Sequence, residues 1–97
     1  MFRATLEEQG EQVVVKLEGS LTGDFVGEVE GMWNQLQEHR SKDKPLVIDL
    51  AALTFANAAG KALLVRMYQS GAQLMGKGPL TRGLVESIVE TASSARH

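Results

Sequence analysis

Few residues in this chain can do chemistry, and their spacing decides what each could do. Asp49 is the one acid inside the apolar run Leu46-Val47-Ile48-Asp49-Leu50. It could act as a general base if a transferable proton lay within hydrogen-bond reach. Bonding to amides of the following loop or helix is the simpler role for an acid near a strand end. Ser20 and Thr22 carry hydroxyls, but a nucleophile of this kind needs an adjacent base. The sequence names none, so both are expected to cap a loop. The only histidines are His39, near a helix end where the C-terminal dipole favours a cation, and His97, the last residue. Neither stands at ligand spacing from an acid. No metal, no cofactor and no catalytic residue is expected.

Gly76-Lys77-Gly78-Pro79-Leu80-Thr81-Arg82-Gly83 has the outline of a phosphate loop. It fails both tests for one. A Walker loop needs serine or threonine after Gly-Lys, and the dinucleotide fingerprint needs a third glycine where Thr81 stands. What remains is a helix N-terminus flanked by Lys77 and Arg82, which could attract an anion.

These residues hang on a regular pattern of elements. Phe2 to Leu6 alternates weakly, as an edge strand would, before a polar turn at Glu7-Glu8-Gln9-Gly10. Gln12 to Glu18 alternates well, with Val13, Val15 and Leu17 on one face. After a loop from Gly19 to Gly23, Phe25, Val26, Val29, Met32, Trp33 and Leu36 make one helical stripe. Gly27 and Gly31 weaken that helix unless they permit close packing on the sheet. Leu46-Val47-Ile48 is apolar on both faces and reads as a strand covered on both sides. A short loop leads to Asn57, a good N-cap.

The second helix is predicted from Ala58 to Gln73. Gly60, Leu63, Leu64, Met67, Gly71 and Leu74 should face the sheet. Its other arc carries Ala58, Lys61, Ala62, Val65, Gln69 and Ala72, with Tyr68 at the edge. That arc is small and apolar where a solvated face would carry several charges. A short strand near Gln73 to Gly76 and a last amphipathic helix through Leu80, Leu84, Val85, Ile88 and Ala92 complete the chain.

The order β-β-α-β-α-β-α predicts an α/β fold with a small mixed four-stranded sheet flanked by helices. Short connections and right-handed crossovers put the last two strands parallel and bring the helix N-termini at Ala58 and Leu80 to one rim. At 97 residues, the chain is expected to be a single domain over 1–97 with one core. Ten Lys and Arg against twelve Asp and Glu, a net charge of -2, give no footprint for nucleic acid. The absence of cysteine excludes disulfides and thiolate chemistry and suits a cytoplasmic protein. No segment approaches the roughly 20 apolar residues needed to span a bilayer.

From Val13 to about Val89 the chain resembles the STAS domain family of bacterial anti-sigma factor antagonists and sulphate-transporter domains. The resemblance rests on VVVKLEGSLTGDF, on LVIDLAALTFANAAGKALL, and on GPLTRGLVESI. Family members have a strand ending in Asp-Leu, a phenylalanine, then Asp-Ser-Ser-Gly or Asp-Ser-Ala-Gly opening a helix. In phospho-regulated members the serine after that aspartate accepts phosphate, which releases the partner. Here Asn57 holds the aspartate position and Ala58 the acceptor position. Alanine has no hydroxyl, so the resemblance implies binding without that switch.

The expectation is therefore a non-enzymatic regulatory module, with Thr22, Asn57, Ala58, Lys61, Ala62, Val65 and Tyr68 meeting a protein partner. That partner would be an anti-sigma factor or serine kinase-type regulator. The alternative is an accessory subunit of a lipid-transport ABC system, meeting its ATPase. Small-ligand sensing, with a nucleotide or lipid phosphate between Lys77 and Arg82, is the competing reading.

Overall fold

The computed structural model describes residues 2–39, 44–76 and 78–94. The elements run β1 (Phe2–Gln9), β2 (Gln12–Leu21), α1 (Asp24–His39), β3 (Leu46–Ala56), α2 (Ala58–Gln69), β4 (Gln73–Met75) and α3 (Gly78–Ser94). They form a four-stranded sheet in the order β1-β2-β3-β4. β1 and β2 are an antiparallel hairpin, while β2, β3 and β4 are parallel. The mixed α/β sheet expected from the element order is the one observed.

One face of the sheet carries the core. Val13, Val15, Leu17 and Leu21 of β2 alternate onto it beside Leu46, Ile48, Leu50 and Leu53 of β3. The helices meet them with Val29 from α1, Leu63, Leu64 and Met67 from α2, and Ile88 and Ala92 from α3. Burying such aliphatic side chains contributes about 1.5–3 kcal/mol each. A stacked Phe2–Phe25 pair, with ring centroids 5.2 Å apart, ties the start of β1 to α1.

The helices do not cover both faces, which corrects the reading of Leu46-Val47-Ile48. Val14 and Val47 are register partners on the opposite face. Each is nevertheless buried. Around them Gln9, Gln12, Lys16, Asp49, Gln73 and Met75 line a shallow hollow of about 350 Å³. Long polar side chains lay their stems over apolar neighbours, so the two valines are shielded without a helix.

Two strands run further than alternation predicts. β2 continues through Gly19, Ser20 and Leu21, and β3 through residues 51–56, because the β2–β3 register shifts between Lys16 and Glu18 and again between Gly19 and Ser20. Such bulges break a period of two while keeping the pairing. α2, by contrast, stops at Gln69, four residues early. The Ser70 N–H and hydroxyl both donate to the Arg66 carbonyl, at 3.0 and 2.9 Å.

Gly27 and Gly31 do not serve close packing. Both are exposed, and a β-carbon on either would meet nothing within 4 Å.

Candidate functional site

The carboxyl ends of β2, β3 and β4 lead into α1, α2 and α3, so the three helix N-termini gather at one rim. This is the end of an open α/β sheet where ligands and partners are met. The junction of β3 and α2 is the most tightly built part of it. Asn57 adopts an extended backbone and its Oδ1 accepts from the Gly60 N–H at 2.8 Å, making it the N-cap of α2. Its own N–H donates to the Leu21 carbonyl at 3.2 Å, and its carbonyl accepts from the Lys61 N–H at 2.8 Å. Gly60 lies against the end of β2, where a β-carbon would stand 2.7 Å from the Leu21 oxygen. The first turn of α2 contains no acid, so the positive end of its dipole is not offset from within the helix.

Of the residues expected to meet a partner, some gather at this rim. Thr22 follows β2, and its carbonyl accepts from the Phe25 N–H at 3.2 Å in the first turn of α1. Asn57, Ala58 and Lys61 occupy the first turn of α2, and Ala62 follows them. Ala58 and Ala62 are exposed, Asn57 and Lys61 half-buried.

Val65 does not belong to the surface. It is 7% exposed and part of the core. α2 packs against α3, and Gln69, one turn beyond Val65 on the same side, donates from Nε2 to the Ala92 carbonyl of α3 at 3.5 Å. From Val65 onward, the side of α2 that its apolar residues offered to a partner borders α3, while Ala58 and Ala62 at its start stay exposed. Ala72 is buried as well.

Tyr68 is also displaced from the rim. It lies ten residues beyond Ala58, or about 15 Å along the helix axis at 1.5 Å per residue. There it lines a hollow of about 690 Å³ with Gln69, Gln73 and Ala92, among others.

Two exposed residues join the rim that the sequence pattern left out. Ala59 continues the small outward stripe of Ala58 and Ala62. Phe55, two residues before the cap, is 56% exposed. It pairs with Ser20 at the carboxyl end of β3, on the face away from the helices. The phenylalanine of the motif was the available signal; that its ring is bare depends on the second bulge.

The remaining candidates for chemistry find structural roles. Asp49 Oδ1 accepts from the Ala51 N–H at 2.9 Å, bracing the strand where the register shifts. Thr81 is buried, with Gly76 so near that a β-carbon there would stand 3.2 Å from the Thr81 backbone. Arg82 is exposed beside a hollow of about 260 Å³ that Glu86 also lines, so any anion there would face a carboxylate. Lys77 and His97 lie outside the described residues. Among the described residues no group of His, Cys, Asp and Glu could hold a metal ion. No described helix is long and apolar enough to cross a membrane.

A family model described as "Mlab, STAS domain" matches residues 4–88. No curated protein matches the chain. Among solved structures, an anti-sigma factor antagonist from Mycobacterium paratuberculosis superposes with a TM-score of 0.78 at 19% identity, over 96% of this chain and 82% of that one. The anti-sigma factor antagonist SpoIIAA in its unphosphorylated form gives 0.62 at 19% identity, over 87% and 82%. An uncharacterised protein with a SpoIIAA-like fold from Shewanella loihica gives 0.59 at 12% identity, over 93% and 79%. At these identities the likeness is one of fold.

Proposed function

The chain belongs to the STAS domain family, and on that premise we propose that it is a non-enzymatic regulatory module that docks on a protein partner through the rim at the start of α2. The observation that carries this reading is the build of that rim. Exposed Ala58, Ala59 and Ala62 stand on a backbone fixed by the Asn57 cap and the Leu21–Gly60 contact. Small side chains let a partner approach closely, and a rigid backbone loses little entropy on binding. Exposed Phe55 adds an aromatic anchor of the kind that dominates binding energy.

A phosphoryl group at the acceptor position would bring about -1.5 to -2 of charge onto this surface. Ala58 cannot carry one, so docking is not switched there. The partner is an ATP-binding regulator of the anti-sigma or serine-kinase type, or the ATPase of an ABC system.

The test is affinity capture with the wild type, Ala58→Glu and Ala62→Glu as baits, with bound proteins identified by mass. A regulator or ATPase held by the wild type and lost from both variants supports the module and its face. Equal recovery by all three baits would place the contact elsewhere. Failure of the wild type to hold any protein would remove the docking reading.

A further inference from the structure

We propose that β1 is a dimerisation strand. Two copies of the chain pair antiparallel along it about a two-fold axis at Thr5, joining their sheets into one. The sheet ends in two unlike edges, β1 and β4. Proteins blunt such edges with short strands, charged side chains, prolines or bulges. β4 is three residues long. β1 runs for eight, holds no proline, and pairs with β2 in unbroken register. Among the described residues it is the long free edge.

The hairpin determines which backbone groups β1 leaves unpaired. Gly10, with φ of 60°, takes the first central position of a two-residue turn, as in type II′. Gln9 and Gln12 flank the turn as register partners, and the closing hydrogen bond of such a turn joins them. Hydrogen-bonded and non-hydrogen-bonded pairs alternate along an antiparallel ladder. Arg3, Thr5, Glu7 and Gln9 therefore turn their N–H and C=O groups toward β2. Phe2, Ala4, Leu6 and Glu8 turn theirs outward. Leu6 is 46% exposed although its register partner Val15 is in the core, so the helices leave the covered face bare at Leu6, while Phe2 at the start of β1 is stacked on Phe25.

Charge then selects the occupant and the register. Arg3, Thr5 and Glu7 share the open face of the sheet. With Thr5 opposite its own copy, Arg3 of each chain stands opposite Glu7 of the other, twice by symmetry. In the same register Ala4 faces Leu6 and Phe2 faces Glu8, so every outward backbone group finds a partner. An axis at Ala4 or Leu6 keeps the hydrogen-bonding pattern, but it leaves Glu8 or Phe2 without a strand partner and loses both ion pairs. An axis at Arg3 or Glu7 sets like charges face to face. Within one chain Glu7 Oε2 already accepts from Gln9 Nε2 at 2.9 Å, which leaves Oε1 for the arginine. The cross-strand neighbour of Arg3 in its own chain is Glu18, so in the dimer the guanidinium stands between two carboxylates.

Sedimentation equilibrium of the full chain from about 1 µM to about 1 mM tests this. The wild type is expected to pass from 10.5 kDa to twice that mass. Leu6→Pro removes an outward N–H without touching the β2 ladder, an exchange that an edge strand tolerates. It is expected to stay monomeric with a native circular dichroism spectrum. Arg3→Glu should weaken the dimer about tenfold, and adding Glu7→Arg should restore it to within about threefold. A wild type that stays monomeric throughout overturns the proposal. So does a dimer that neither the charge reversal nor Leu6→Pro weakens. Should Leu6→Pro fail to fold, the Arg3–Glu7 charge exchange decides alone.

Discussion

The Leu21 carbonyl and Gly60 meet so closely that a β-carbon on Gly60 would stand 2.7 Å from the oxygen. The same oxygen accepts the Asn57 N–H at 3.2 Å. One carbonyl at the end of β2 thus seats both the cap and the first turn of α2. It fixes the height of the helix above the sheet and the position of Ala58 on the rim.

Gly60→Ala should therefore destabilise the fold although alanine is the better helix former. Relieving the overlap means moving backbone against backbone, and such overpacking costs about 1–3 kcal/mol. Urea unfolding followed by the fluorescence of Trp33, the only tryptophan, would read the loss. Unchanged stability would mean that α2 can lift off β2 freely.

Gly27→Ala and Gly31→Ala should do the reverse. Neither glycine has a positive φ, and a β-carbon on either meets open space. Each exchange should raise stability by about 0.5–1 kcal/mol through helix propensity and a less flexible unfolded chain. A fall in the urea midpoint for either variant would show that this face of α1 is packed after all.

Asn57 and Val65 mark the two sides of what the sequence makes legible. Asn57 announces α2, because its side chain suits a cap and helical spacing begins just after it; the bond to Gly60 N–H is local, and local chemistry is written in neighbouring residues. Val65 is ambiguous because periodicity gives the direction of a side chain and not what lies there. α2 is bordered by α1, through the Arg66–Glu30 ion pair, and by α3, through Gln69 and Ala92. Its buried arc is therefore wider than a helix lying singly on a sheet would have. Val14 and Val47 carry the same lesson: their apolar character fixes that they are buried, while the covering groups come from distant polar residues. The ends of β2 and β3 escape the pattern because the two bulges interrupt their alternation.

Val65→Glu should unfold or severely destabilise the protein. An uncompensated carboxylate in the core costs several kcal/mol. Ala62→Glu, three residues earlier, should change stability by no more than about 0.5 kcal/mol. That position is exposed, and a glutamate four residues before Arg66 makes a favourable helical pair. Thermal melts of the two variants side by side would check the contrast. A native melt for Val65→Glu would require that α3 does not cover this side of α2.

Loss of the cap should be measurable and separable from loss of binding. Asn57→Ala leaves the Gly60 N–H without its 2.8 Å partner, at a cost of about 1 kcal/mol, and Asn57→Asp should recover most of it. Hydrogen exchange at the amides of the first turn of α2 reports both directly. Equal protection in Asn57→Ala and the wild type would mean that packing alone holds the turn.

Ala58→Glu should separate docking from folding most sharply. Residue 58 is exposed at the start of a helix whose first turn has no acid. A negative charge there should stabilise the helix dipole by about 0.3–1 kcal/mol. The same charge would stand on the rim proposed to meet a partner, with the sign of a phosphorylated acceptor. The expected outcome is a melting temperature equal to or above that of the wild type together with loss of the captured partner. Ala58→Ser, which restores the hydroxyl without the charge, should keep both stability and binding. If Ala58→Glu melts as expected and still binds, the partner does not approach the start of α2. Loss of binding by Ala58→Ser as well would mean that the partner requires the methyl group itself.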